Sequence, residues 1–370
     1  MEIGIIRLSV LGGKSTNNGY NYQCIGLAKA LARLGNKVFV YRCIGRKWEA
    51  ERIVSNNCLT IYEIPVRTLG TNGLLNPQNI TEKLDVCILM SDTQLGSIKV
   101  INWAKKKGVR LFNYIGVVES HSNNNIIKFA MNLYIKQLMN KYKTCKCLAK
   151  TPQIKKILIE KGVTNVSLMP VGLDSDLLYK DYYKEDRCKL KTEFGYNTED
   201  KILLFIGRLV EEKDPLRMVQ LFDKLSKRKE GVKLLIIGDG YLRRELDEYI
   251  IKIGKTNSIE IIKGIPNDEI WKAYRVADCL VNLNKQEIFG MVLLEAMFYE
   301  CPIVACDAPG PRYILEDTEN ALLVEDDEII MEIEKRIERR SEYTKMGREK
   351  VINSFLWDSI AEKYVDVFKV

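Results

Sequence analysis

Short runs rich in Ile, Val and Leu alternate along this chain with longer stretches in which apolar residues return every three or four positions. The first pattern fits buried strands, the second amphipathic helices. Strands are expected at 3–10, 37–42, 59–64, 86–90, 110–115, 144–148 and 166–169, then at 202–206, 233–237, 259–263, 279–283 and 303–306. Helices fit at 27–34, which Gly35 would end, and at 215–227, 242–252, 268–275, 291–298 and 328–340. Such alternation predicts parallel α/β sheets. A chain of 370 residues is long for one core of this type and natural for two. The polar, tyrosine-rich stretch that follows residues 172–174, as far as 184, is a place for a link between domains.

The net charge of +8 conceals an asymmetry: residues 1–180 carry 26 Lys/Arg against 11 Asp/Glu, the remainder 31 against 38. A basic first half beside an acidic second half predicts two domains with different partners. The basic residues are interleaved with helical apolar positions and form no stacking platform, so an anionic membrane surface is expected and a nucleic acid is not. The stretch 126–143 concentrates this pattern. Ile126, Phe129, Ala130, Leu133, Leu138 and Tyr142 recur on it with Lys128, Lys136, Lys141 and Lys143 between them, and Lys105, Lys106 and Lys107 lie nearby in sequence. A basic amphipathic helix can lie on an anionic bilayer; equally, it can pack on its own sheet with a solvated face. Ten cysteines without a C-x-x-C pair and a single histidine, His121, make a Cys/His metal site unexpected. The opening residues have the pattern of a strand, and no apolar run reaches the length of a membrane span. The expected location is cytoplasmic, with a peripheral place on the inner face of the membrane.

The candidate chemistry gathers in the second half. Glu287 and Glu295 stand eight positions apart, separated by Phe289, Gly290 and an apolar run beginning at Met291. Gly290 permits a tight turn into a helix whose first amides suit an anion. A carboxylate beside them can accept two hydroxyl hydrogen bonds from a sugar or ribose. Upstream, the strand at 202–206 runs into Gly207-Arg208, with Lys213 five residues on, where an arginine fork and a lysine charge can meet a diphosphate. Gly238 and Gly240 follow the next strand, and Gly264 the one after. In the first half Gly12 and Gly13 follow the first strand, where backbone amides can approach a phosphate or donor sugar. Gly13-Lys14-Ser15 matches the tail of a P-loop, but Leu8 stands where that motif needs glycine.

Taken in order, GRLVEEK, LLIIGDGYLRREL, IEIIKG, the E-x7-E pair at Glu287 and Glu295, and ECPIVACDAPGP resemble the retaining glycosyltransferases of family 4 over nearly all of residues 200–325. The resemblance implies a GT-B fold, an α/β architecture of two Rossmann-like domains facing across a cleft. It implies an acceptor-binding domain at 1–175, completed by a C-terminal helix at 355–370, and a nucleotide-sugar-binding domain at 176–354. Arg208, Lys213 and Glu287 would then be catalytic. Gly12, Gly13, Gly207, Gly238, Gly264, Phe289, Gly290, Met291 and Glu295 would line the donor. The donor is a nucleoside diphosphate sugar, UDP- or GDP-linked, with no other cofactor and no metal, and the acceptor is a saccharide or lipid-linked saccharide. Asp174-Ser175-Asp176 follows MPVGL, which resembles the family's domain crossing, with Val171 in place of the usual asparagine. Asp214 takes the place of a frequent glycine after Lys213. A further departure lies at Ile115 or Gly116, where many members carry a histidine. His121 and Glu119 remain candidates for the acceptor side or plain loop residues. A soluble acceptor and a binding protein without turnover stay open as alternatives. A glycoside hydrolase would also need two carboxylates but has no use for Arg208 and Lys213.

Overall fold

The computed structural model describes residues 1–10, 23–120, 124–318, 321–324, 328–343 and 345–369. They form two compact units, 1–174 with 356–370, and 175–355.

The first unit begins with β1 (Glu2–Arg7), α1 (Gln23–Arg33), β2 (Lys37–Gly45), β3 (Glu51–Asn56) and β4 (Leu59–Val66). A small ribbon, β5 (Thr68–Leu69) with β6 (Asn72–Gly73), precedes β7 (Val86–Met90), α2 (Ser97–Lys107), β8 (Arg110–Ile115), α3 (Asn125–Tyr142), β9 (Lys146–Ala149), α4 (Pro152–Glu160) and β10 (Val166–Leu168). Eight strands lie in the order β10-β9-β8-β7-β1-β2-β4-β3. All neighbours run parallel except β3, which pairs antiparallel with β4. The central strands are buried along their length, as a sheet covered by helices on both faces requires. β3 was not expected from the sequence: it is an exposed edge strand of polar composition, without the apolar run that marks the others.

The second unit contains α5 (Arg187–Glu193), β11 (Lys201–Ile206), α6 (Pro215–Ser226), β12 (Val232–Ile237), α7 (Arg243–Lys252), β13 (Ile259–Ile262) and α8 (Ile270–Val276). It continues through β14 (Cys279–Asn282), α9 (Met291–Phe298), β15 (Ile303–Cys306), α10 (Pro309–Leu315), β16 (Ala321–Val324), α11 (Ile329–Glu338) and α12 (Lys345–Ser354). Its six strands are parallel in the order β13-β12-β11-β14-β15-β16. The tyrosine-rich stretch before α5 is not a free link. Tyr182 is fully buried there, edge-on to Tyr299 at 5.3 Å.

The last helix, α13 (Trp357–Lys369), returns to the first unit. Phe368 packs on Phe112 at 4.9 Å, and the Trp357 amide donates to the Leu173 carbonyl at 3.0 Å. A side chain at Gly26 would strike Trp357, so α1 and α13 meet through that glycine.

Candidate functional site

In the second sheet the order reverses between β11 and β14, and ligands of doubly wound sheets sit beyond the carboxyl ends of such strands. The loops leaving those two strands hold most of the candidate residues. Gly207 follows β11, and its backbone touches the next loop so closely that a Cβ on Gly238 would lie 1.8 Å from the Gly207 carbonyl oxygen. Lys213 passes Gly207, 3.7 Å from where a side chain would begin, and its ammonium reaches Glu287 Oε2 at 2.5 Å. Asn284, absent from the sequence-based set, donates its side-chain amide to the same oxygen at 3.1 Å. Only its spacing, three residues before Glu287 in a turn closed by the Glu287 amide on the Asn284 carbonyl, could have drawn attention to it.

Asp214 adopts a left-handed conformation, φ 53°, at the entry to α6. Glycine takes that geometry without steric cost, and aspartate is among the few residues that tolerate it, which gives the departure at this position its physical basis. Arg208 is placed differently from Lys213. Its side chain is 72% exposed and pairs at 3.4 Å with Glu212, one turn away on the surface.

Gly290 turns the chain into α9 with φ 98°. Phe289 and Met291 are buried on either side, and Phe289 meets Phe355 edge-on at 6.2 Å. Gly310 is pressed against this turn: a Cβ there would lie 2.3 Å from the Phe289 carbonyl oxygen, while its amide donates to the Glu287 carbonyl at 2.9 Å. Glu295 lies on the second turn of α9 and accepts a hydrogen bond from the Tyr274 hydroxyl at 2.6 Å. Burial pushes its carboxyl up to about 7, with the Tyr274 hydroxyl pulling the other way. Tyr274 stacks on Tyr299 at 5.7 Å and fixes that donor from α8. Nothing in the sequence marked it. Gly264, past the end of β13, faces open space.

In the first unit Gly12, Gly13 and His121 lie outside the described residues, and Glu119 is exposed. Asp174 is buried against Lys29 at 2.9 Å, as befits a crossing segment. Among the described residues no group of three or more His, Cys, Asp and Glu side chains is arranged to hold a metal ion, and no helix is long and apolar enough to cross a membrane. Helix α3 packs on the first unit through its second half. Ile135, Leu138, Met139 and Tyr142 are buried against the sheet, whereas Ile126, Phe129 and Leu133 project outward, 80%, 74% and 56% exposed. Leu138 and Tyr142 therefore belong to the core and leave the outward stripe to the first turns.

Residues 186–350 match the model for glycosyl transferases group 1. An uncharacterized glycosyltransferase of Methanocaldococcus jannaschii is 24% identical over 95% of this chain and 94% of its own length. The alpha-monoglucosyldiacylglycerol synthase of Acholeplasma laidlawii is 23% identical over 82% of this chain and 80% of its own. Among solved structures, Anabaena HepE in complex with UDP and glucose superposes with a TM-score of 0.73 at 15% identity, over 100% of this chain and 99% of that one. The chain has the GT-B fold, with two Rossmann-like domains, and its second unit carries the match to glycosyl transferases group 1.

Proposed function

We propose that this chain is a glycosyltransferase that retains configuration and needs no metal ion. In this reading it moves a sugar from a UDP- or GDP-linked donor to a hydroxyl of a lipid-linked or cell-surface polysaccharide intermediate. The observation that carries the reading is the convergence of Lys213 and Glu287 across the reversal of strand order, within the segment that matches the family model. Lys213 meets the charge that builds on the departing diphosphate, and the first amides of α9 add to it. Arg208, whose partner among the described residues is the exposed Glu212, swings from it to the phosphates when the donor arrives. Glu287 accepts hydrogen bonds from the donor sugar and Glu295 from the ribose diol. The bond from the anomeric carbon to the diphosphate breaks on the face where the acceptor oxygen bonds. The diphosphate oxygen takes the acceptor's proton.

The lipid side of the reading rests on α3. Four large apolar side chains in solvent, Ile126, Ile127, Phe129 and Leu133, with Lys128 and Lys136 on the same helix, suit the boundary of an anionic bilayer. The relative from Acholeplasma is named for a lipid product. The test is a thermal-shift panel of UDP-, GDP- and ADP-sugars, followed by NMR of the anomeric linkage formed from the donor that shifts. A UDP- or GDP-sugar is expected to raise Tm and to give a product of unchanged anomeric configuration. Inversion, or no shift with any nucleotide, overturns the proposal.

A further inference from the structure

In the first sheet the order of strands reverses between β1 and β7, and the residues that follow β7, β8 and β9 meet around one ion pair. Asp92, two residues past β7, has φ +35°, a left-handed conformation uncommon outside glycine. Such strain persists where the surroundings hold it, and it clusters at ligand sites. Here the hold is visible. Asp92 Oδ1 accepts from the Gly116 amide at 2.6 Å and from the Val117 amide at 3.2 Å, both past β8. Lys150, past β9, lies across the carboxylate, with its ammonium 3.3 Å from Oδ1 and 3.2 Å from Oδ2. The lysine chain runs over Gly116, where a Cβ would lie 2.5 Å from its Cδ, and its ammonium stands 4.9 Å above the Tyr114 ring.

The two ends of this pair are unequally satisfied. Oδ1 has three donors, whereas Lys150 is the one partner of Oδ2 among the described residues. The ammonium has three N–H groups and spends two on the carboxylate. The Asp92 and Lys150 side chains remain 28% and 11% exposed, so solvent reaches the pair. A carboxylate oxygen that can accept, beside an ammonium that can donate, matches a sugar hydroxyl, which does both at once.

Resting on the transferase reading above, we propose that Asp92 and Lys150 form a saccharide-hydroxyl site of the acceptor, at the carboxyl edge of the first sheet. The acceptor hydroxyl donates to Asp92 Oδ2 and accepts from Lys150. The Oδ1 clamp on Gly116 and Val117 keeps the carboxylate turned toward it.

The experiment is saturation-transfer NMR on the full chain with methyl glycosides of glucose, galactose, mannose and N-acetylglucosamine. Thermal shift with UDP and GDP runs in parallel. Wild type is expected to transfer saturation to at least one glycoside. Asp92→Asn keeps an oxygen for the two amides and loses the charge; Lys150→Gln loses the ammonium. Each is expected to weaken glycoside binding about tenfold, as loss of one charge-assisted hydrogen bond implies. The shift with nucleotide should stay as in wild type, showing that each variant is folded. Glycoside binding unchanged in both variants, or undetected in wild type, overturns the site. Glycoside binding without any nucleotide shift leaves the site standing and sinks the transferase reading instead.

Discussion

Burial pushes the Glu295 carboxyl up to about 7 against the pull of Tyr274, so near neutral pH the group is divided between acid and carboxylate. In the proposed role only the carboxylate accepts from both hydroxyls of a ribose, so nucleotide binding would draw off the remaining proton. Affinity for UDP or GDP is therefore expected to rise with pH and level off above about 7. Below that it should fall by up to about tenfold per pH unit, one proton being taken up. Calorimetric titration between pH 5.5 and 8.5 reads this directly, and a flat profile contradicts the role. In Glu295→Gln the pH dependence should disappear while the Tyr274 hydroxyl keeps an acceptor. Lys213 invites a sharper contrast. Its loss leaves Glu287 with Asn284 as a neutral partner and, on the proposed mechanism, removes the cation that meets the leaving group. Lys213→Ala should cost on the order of 2–4 kcal/mol in kcat. Arg208→Ala should fall in the same range, with no rescue by Arg208→Lys, because a lysine cannot fork. Near-wild-type kcat in both alanine variants would end the assignment. With protein cations meeting the diphosphate, activity should also survive EDTA; loss with chelator and recovery with Mn²⁺ would contradict the mechanism.

At the scale of elements, the loop before α9 is held by backbone contact. Gly310→Ala would drive a Cβ into the Phe289 carbonyl, so α10 and the Glu287 turn must separate. Such overpacking typically costs about 1–3 kcal/mol. Donor affinity should fall along with Tm, and a variant of wild-type Tm and affinity would show that the contact relaxes freely. Apolar runs made the central strands legible: the run at 303–306 coincides with β15, and the one at 86–90 with β7. Polar β3 carried no such signal, because an exposed edge strand needs no apolar face. The Glu pair was legible because a helix start and two carboxylates share one short stretch. Tyr274 and Asp92 were not, since each matters through a partner that only the folded chain brings near, and Asn284 was not because a three-residue spacing to Glu287 is too common to mark it. In α3 a single periodic pattern served two surfaces. No residue before 134 is buried, whereas beyond it Ile135, Leu138, Met139 and Tyr142 turn to the core while Lys136, Gln137 and Asn140 stay exposed, a division set by where the sheet lies.

For the whole molecule, the charge imbalance acts at a distance at which no single contact does. On the proposed membrane reading, the excess of cations in residues 1–180 would draw that half toward an anionic surface and the acidic remainder would be repelled from it. Each lysine near such a surface contributes about 1 kcal/mol, an attraction that salt screens. The apolar stripe of α3 adds burial that salt leaves intact. Two components should therefore separate in vesicle co-sedimentation. Binding to anionic vesicles is expected at low ionic strength, with most of the protein released at high salt. Replacing Lys128, Lys136, Lys141 and Lys143 by glutamine should weaken the salt-sensitive part and leave nucleotide affinity alone. Ile126→Ser with Phe129→Ser should remove whatever persists in salt, because those side chains are the most exposed of the stripe. A wild-type protein that ignores anionic vesicles even at low ionic strength would point to a soluble acceptor. If the same serine pair instead abolished a concentration-dependent dimer, the stripe would be an interface between two copies of the chain.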